Sequence, residues 1–172
     1  MPSVELVLTK EGNYFSPNDP GERCYGDKTP RRSVAPAEAE ILMDLAADRK
    51  VLEIGTGLGF STRAMARTAL AVVTIDDDPW VAENVELPDN VLRLTCFAVK
   101  GRFDLVFVDG DHRYEQVVHD LRFALDNLAR SGVIAVHDTN INDVARATAE
   151  LLGQSTKDFG GPCMLAVWEI EE

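Results

Sequence analysis

Three glycines at alternate positions, Gly55, Gly57 and Gly59, follow the apolar run Val51-Leu52-Glu53-Ile54 and precede Phe60-Ser61-Thr62. Lacking side chains, they let peptide N–H groups approach a ligand closely, and a helix opening just after them adds the positive end of its dipole. An anionic or polar ligand is the expected occupant. Three consecutive acids, Asp76, Asp77 and Asp78, begin 21 positions after Gly55. Two further groups carry both carboxylates and imidazoles: Asp109-Gly110-Asp111-His112 and His137-Asp138-Thr139-Asn140. Carboxylate oxygens suit a hard cation such as Mg²⁺, and imidazole nitrogens tilt the preference toward transition metals. An imidazole with a pKa near about 6.5 is also suited to removing a proton at neutral pH.

These groups can cooperate only if the elements carrying them end at one edge. Val51–Ile54 reads as a short buried strand, followed by the glycine turn and a helix from about Ser61 to Ala69. Ala71–Ile75 is a second strand, and Asp78-Pro79 looks like the N-cap and first-turn proline of a short helix carrying Trp80 and Val85. Val91–Phe97 reads as a third strand. Phe103–Val108 is a fourth, too continuously apolar to face solvent. A helix from about Arg113 to Arg130 places Val117, Val118, Leu121, Leu125 and Leu128 at helical spacing and stops at Ser131-Gly132. Val133–Val136 is a fifth strand, Asn142–Leu152 a helix ending at Gly153, and Met164–Trp168 a last strand. Ahead of them all, a helix starts at Pro36, with Glu38 and Glu40 near its positive end and Ile41, Leu42 and Leu45 on one face. Alternating strands and helices predict an α/β fold: a doubly wound, mostly parallel sheet covered on both faces, in three layers, with ligands beyond the carboxyl ends of the strands.

A length of 172 residues fits one domain. Residues 1–35, rich in Gly, Pro, Asn and Asp, read as an arm or lid that carries Tyr14, Phe15, Tyr25 and Arg31-Arg32; residues 36–172 read as the folded domain. A formal charge of −12 opposes contact with a phosphate backbone or an anionic membrane, which leaves small molecules as partners; the composition permits a homo-oligomer. Cys24, Cys96 and Cys163 are odd in number and widely spaced, which fits a reducing cytoplasm, and Cys96 is expected as a small buried hydrophobe. No apolar stretch approaches the roughly 20 residues of a membrane helix.

The segment Val51-Leu-Glu-Ile-Gly-Thr-Gly-Leu-Gly-Phe-Ser-Thr62 resembles motif I of class I S-adenosylmethionine (SAM)-dependent methyltransferases. Phe103 to Asn140 resembles a small-molecule subfamily marked by Asp-Gly-Asp-His after strand four and His-Asp after strand five. The likeness spans roughly residues 36 to 140. It implies SAM held by Glu53, Gly55, Thr56, Gly57, Gly59, Phe60 and Ser61 of the turn, by Asp76 on the ribose hydroxyls, and by Asp77, Phe97 and Asp109. In related oxygen methyltransferases, including those similar to catechol methyltransferase, carboxylates at the ends of strands four and five bind a divalent metal that holds and acidifies the acceptor hydroxyl. Here the matching first ligands are Asp109 and Asp138, with His137 as a further candidate ligand, and Asp109, His112 and His137 are the catalytic candidates. The relatives commonly carry a second acid or an amide next to the strand-five aspartate, whereas this chain has His137 and Thr139. The implied activity is O-methylation of a small hydroxylated metabolite.

Other readings compete at individual positions. Asp78 and Asp111 can be helix caps, His137 a hydrogen-bonded histidine of the pocket wall, and His119 a surface residue. The same turn could serve a nicotinamide-dinucleotide oxidoreductase, although G-x-G-x-G departs from the usual G-x-G-x-x-G, or a non-catalytic SAM-binding protein.

Overall fold

Apolar residues at successive strand positions point alternately to two helical layers, and this alternation organises the molecule. The computed structural model describes residues 7–8, 14–15, 34, 36–160 and 165–171. Its elements are β1 (Val7–Leu8), β2 (Tyr14–Phe15), α1 (Pro36–Ala46), β3 (Lys50–Ile54), α2 (Phe60–Ala66), β4 (Ala71–Ile75), α3 (Pro79–Asn84), β5 (Val91–Leu94), β6 (Phe103–Val108), α4 (Tyr114–Asn127), β7 (Leu128–Val136), α5 (Asn142–Leu151), β8 (Lys157–Gly160) and β9 (Leu165–Ile170). The last seven strands form one sheet in the order β5-β4-β3-β6-β7-β9-β8, while β1 and β2 pair separately. From β5 to β7 every pairing is parallel; β9 runs antiparallel to β7 and to β8. Leu52, Ile54, Val106, Val108, Ile134 and Val136 pack with Val117, Leu121 and Ala124 of α4 and with Val144 and Ala147 of α5. Their neighbours Val51, Leu105, Phe107, Val133 and Ala135 face Leu42 and Ala46 of α1 and Phe60, Met65 and Ala66 of α2. The three-layer, doubly wound expectation holds.

Several local expectations are revised. The third strand stops at Leu94, so Cys96 lies beyond the ladder and is exposed rather than buried. No helix connects β5 to β6. The link is tied instead to the end of α4 and the start of β7: Gly101 N–H donates to Asn127 Oδ1 at 3.0 Å, and Arg102 Nη1 to the Leu128 carbonyl at 2.9 Å. The sheet is therefore not fully covered, and Leu92 on its edge strand is 58% exposed. The fourth main helix ends at Asn127, and the chain enters β7 at Leu128, ahead of the expected stop at Ser131-Gly132. β8 was not expected, because Lys157-Asp-Phe-Gly160 has neither alternation nor an apolar run. The last strand is shifted to Leu165–Ile170 and is antiparallel.

Of the N-terminal arm, Val34 is buried against the α1 and α2 layer. Tyr25 and Arg31-Arg32 lie outside the described residues. Among the described residues, no helix is long and apolar enough to cross a membrane.

Candidate active site

Strand order reverses between β3 and β6, which lie side by side although β4 and β5 intervene in sequence. A crevice forms at such a switch point beyond the carboxyl ends of the strands. Backbone bonds tie its rim together: Gly55 N–H donates to the Ile75 carbonyl, Asp109 N–H to the Ile54 carbonyl, and His137 N–H to the Val108 carbonyl. The expected residues after four separate strands are thus held on one edge.

Glycine at 55 is required by this closeness. Its φ is +97°, and a Cβ there would stand 2.1 Å from the Asp109 carbonyl oxygen. Gly57, at φ +50°, differs: a Cβ would meet nothing within 4 Å, so this point of the turn faces open space. Its N–H donates to Asp76 Oδ2 at 2.8 Å, and Asp76 Oδ1 accepts from Asp78 N–H at 3.0 Å. The three acids separate by task. Asp76 joins the turn to the end of β4, Asp78 caps α3 by accepting from Trp80 N–H at 2.9 Å, and Asp77 is exposed.

Glu53 and Ser61 face inward. The Glu53 carboxylate is fully buried and accepts from Ser61 Oγ at 2.6 Å and Thr62 Oγ1 at 2.5 Å, so it fastens the end of β3 to the first turn of α2. Burial pushes its pKa up to about 7, although the hydroxyl donors pull the other way. Thr56 is likewise buried, with its hydroxyl 2.7 Å from that of Thr74. Arg63 braces the turn from outside by donating to the carbonyls of Leu58, Gly59 and Glu86. Phe97 packs edge-on against His119 and Phe123 of α4, with ring centroids 4.7 and 4.9 Å away. His119 itself is half exposed beside the buried Asp120.

The second cluster centres on His137, which is 5% exposed. Its Nδ1 lies 3.2 Å from Asp109 Oδ1 and 3.4 Å from Asp138 Oδ2, while its Nε2 lies 3.3 Å from Glu38 Oε2 of α1. Asp138 adopts a left-handed backbone, φ 56°, and accepts from His112 Nε2 at 2.9 Å. Burial disfavours a charged His137 ring, but the carboxylates of Asp109, Asp138 and Glu38 outweigh it and hold the pKa far above the ordinary imidazole value. Burial likewise opposes ionisation of Asp138, yet its hydrogen bond to His112 and the nearby His137 ring keep it well below the carboxylate range. The hydrogen bond to Asp138 raises the pKa of His112. Asp111 is turned away: its carboxylate accepts from the backbone and side chain of Arg113, the residue that itself occupies the N-cap position of α4.

Asp109, His137 and Asp138 each offer an atom within 4.8 Å of the others. His137 Nδ1 is buried and has no aligned hydrogen-bond partner. Once Nδ1 gives up its proton, the ring and the two carboxylates can serve as a donor set for a divalent cation, and mixed nitrogen and oxygen ligands favour Mn²⁺, Fe²⁺, Co²⁺ or Zn²⁺ over Mg²⁺. The residues therefore fit a metal. Glu38 went unrecognised as a member of this cluster, although its place four residues before buried Leu42 on the apolar face of α1 was a usable signal.

Residues 52–139, just over half of the chain, match the model of a family described as a methyltransferase domain. No curated protein matches by sequence. Among solved structures, the chain is similar to cofactor-bound Rv0187 from MTB, with 26% identity, a TM-score of 0.66 and coverage of 83% of this chain and 84% of that one. It is similar to the O-methyltransferase from Bacillus cereus in complex with SAH (19%, TM-score 0.67, 81% and 84% covered). It also resembles the O-methyltransferase TomG from Streptomyces achromogenes, involved in tomaymycin synthesis and bound to SAM (19%, TM-score 0.62, 80% and 82%).

Proposed function

Since this chain belongs to the methyltransferase-domain family, we propose that it transfers the methyl group of SAM to a hydroxyl oxygen of a small-molecule acceptor. The observation that carries this reading is the convergence, at one switch point, of an open glycine turn with the cluster of Asp109, His112, His137 and Asp138. SAM, when bound, supplies an electrophilic methyl group on a sulfonium, which an acceptor oxygen takes by in-line displacement. Little covalent work is left to the protein, and the rate comes from holding donor and acceptor in line and excluding water.

Gly57 offers the uncrowded face on which the cofactor can lie, and Asp76, one bond away, is placed to accept from ribose hydroxyls. Glu53 and Ser61 keep the turn in shape from within. Phe97 and exposed Asp77 are the candidates for the base end of the cofactor. Asp109, Asp138 and His137 would hold a divalent cation, whose chemistry there is to orient and acidify the acceptor hydroxyl. His112, 44% exposed and made more basic by Asp138, is the candidate to take the hydroxyl proton. Residues 1–35 as a lid over residues 36–172 complete the proposal.

Calorimetric titration with S-adenosylhomocysteine and with NAD, each with and without Mn²⁺, tests the reading. Binding of the former alone is expected; binding of NAD, or of neither, overturns it. Asp109→Ala and Asp138→Ala should each lower methyl transfer by orders of magnitude while retaining S-adenosylhomocysteine. Unchanged turnover in both would remove the acidic cluster from the mechanism.

A further inference from the structure

Glu38 belongs to neither the glycine turn nor the acidic segments after β6 and β7, yet it reaches the site from α1. Its side chain is 3% exposed and meets His137, a residue 99 positions away in sequence. The stripe of α1 on which it sits continues as Leu42 and Ala46, both fully buried, so an apolar side chain would be the ordinary choice there. A buried carboxylate is costly unless its oxygens are hydrogen-bonded, and the His137 ring is one of the partners of Glu38.

An imidazole presents two nitrogens on opposite sides, and a carboxylate accepting at one of them sets how the ring lies and which nitrogen faces the other way. Glu38 Oε2 takes Nε2 at 3.3 Å. The ring then directs Nδ1 at Asp109 Oδ1 and Asp138 Oδ2, and that buried nitrogen has no aligned hydrogen-bond partner. We propose that Glu38 is a positioning residue: by accepting the N–H of Nε2 it holds the His137 ring so that Nδ1, releasing its proton to solvent as the cation binds, joins Asp109 and Asp138 as the third ligand of a divalent cation. This inference rests on the metal-assisted form of the methyltransferase reading. It adds α1 to the site and gives the His137 ring a fixed orientation as a ligand.

The test separates reach from charge. Glu38→Gln keeps the length and an accepting oxygen but loses the charge, whereas Glu38→Asp keeps the charge and withdraws it by one methylene. The full chain and both variants are titrated with Co²⁺, followed by visible absorption, and with S-adenosylhomocysteine by calorimetry as a check on the fold. The Gln variant is expected to keep the wild-type cobalt spectrum and nearly its affinity. The Asp variant is expected to lose affinity on the order of 10- to 100-fold, with a shifted spectrum, while S-adenosylhomocysteine affinity is unchanged in both. The opposite ranking, with Asp tolerated and Gln damaging, would assign Glu38 a purely electrostatic role and overturn the proposal. So would equal Co²⁺ binding in all three proteins, or none in the wild type. A wild type that binds Co²⁺ with the expected ranking but never binds S-adenosylhomocysteine would instead sink the methyltransferase reading and leave the positioning role standing.

Discussion

Glu53 is fully buried with both carboxylate oxygens bonded to hydroxyls, and its pKa of about 7 lies above the ordinary 4.5. A raised value means that folding takes up a proton. The stabilising contribution is complete below about pH 4.5 and is lost as pH rises through 7, by roughly 3 kcal/mol at about 1.4 kcal/mol per pH unit. Urea unfolding at pH 5 and pH 8 should show this loss in the wild type and much less of it in Glu53→Gln; parallel pH profiles for the two would mean that Glu53 does not change protonation on folding. Sequence alone identified Glu53 as part of the turn but could not tell a ligand contact from an internal brace, because that depends on where Ser61 and Thr62 point. Asp78 was legible as a cap from the Asp-Pro pair, since capping is local chemistry. The link from Glu38 to His137 joins positions 99 apart: the pattern of α1 marks Glu38 as facing the core but not what it meets there.

The glycine turn shows that identical residues in one motif can be required for different reasons. Gly55→Ala would drive a Cβ against the Asp109 carbonyl, a contact with backbone that cannot rotate away. A loss of about 2 kcal/mol or more in thermal or urea unfolding is expected. Gly57→Ala meets open space, so its cost should be only the left-handed backbone, about 1 kcal/mol, while S-adenosylhomocysteine affinity falls sharply. Equal destabilisation by both would contradict the geometry of the turn. Strands β3, β4 and β6, helix α5 and the starts of α1 and α3 were readable to within a residue or two, because each combines an apolar run or stripe with a recognisable start or stop. β8 was not, for a short edge strand buries too little to imprint alternation. The end of β5 was overextended because Cys96 and Phe97 look like strand residues, while the ladder they would join ends with β4 at Ile75.

Taken as one body, the molecule places a formal charge of −12 around a small core. Like charges repel in the compact state and salt shortens the range of that repulsion. The melting temperature should rise by roughly a few degrees between low salt and about 0.3 M NaCl; a flat or falling trend would mean that favourable ion pairs, not self-repulsion, dominate the surface. The doubly wound architecture was legible from the alternation of elements, but the antiparallel end of the sheet was not, since strand direction depends on which neighbour a segment reaches. That end has a bearing on how the chain is made. β9 lies between β7 and β8, so β8 leaves the ribosome before the strand that joins it to the sheet exists. Throughout that interval β7 presents a bare hydrogen-bonding edge, only a few residues from His137 and Asp138. The strands that carry the glycine turn are thus made before β7 has its antiparallel neighbour, and the strand leading into His137 and Asp138 gains that neighbour only once residues 165–170 have emerged.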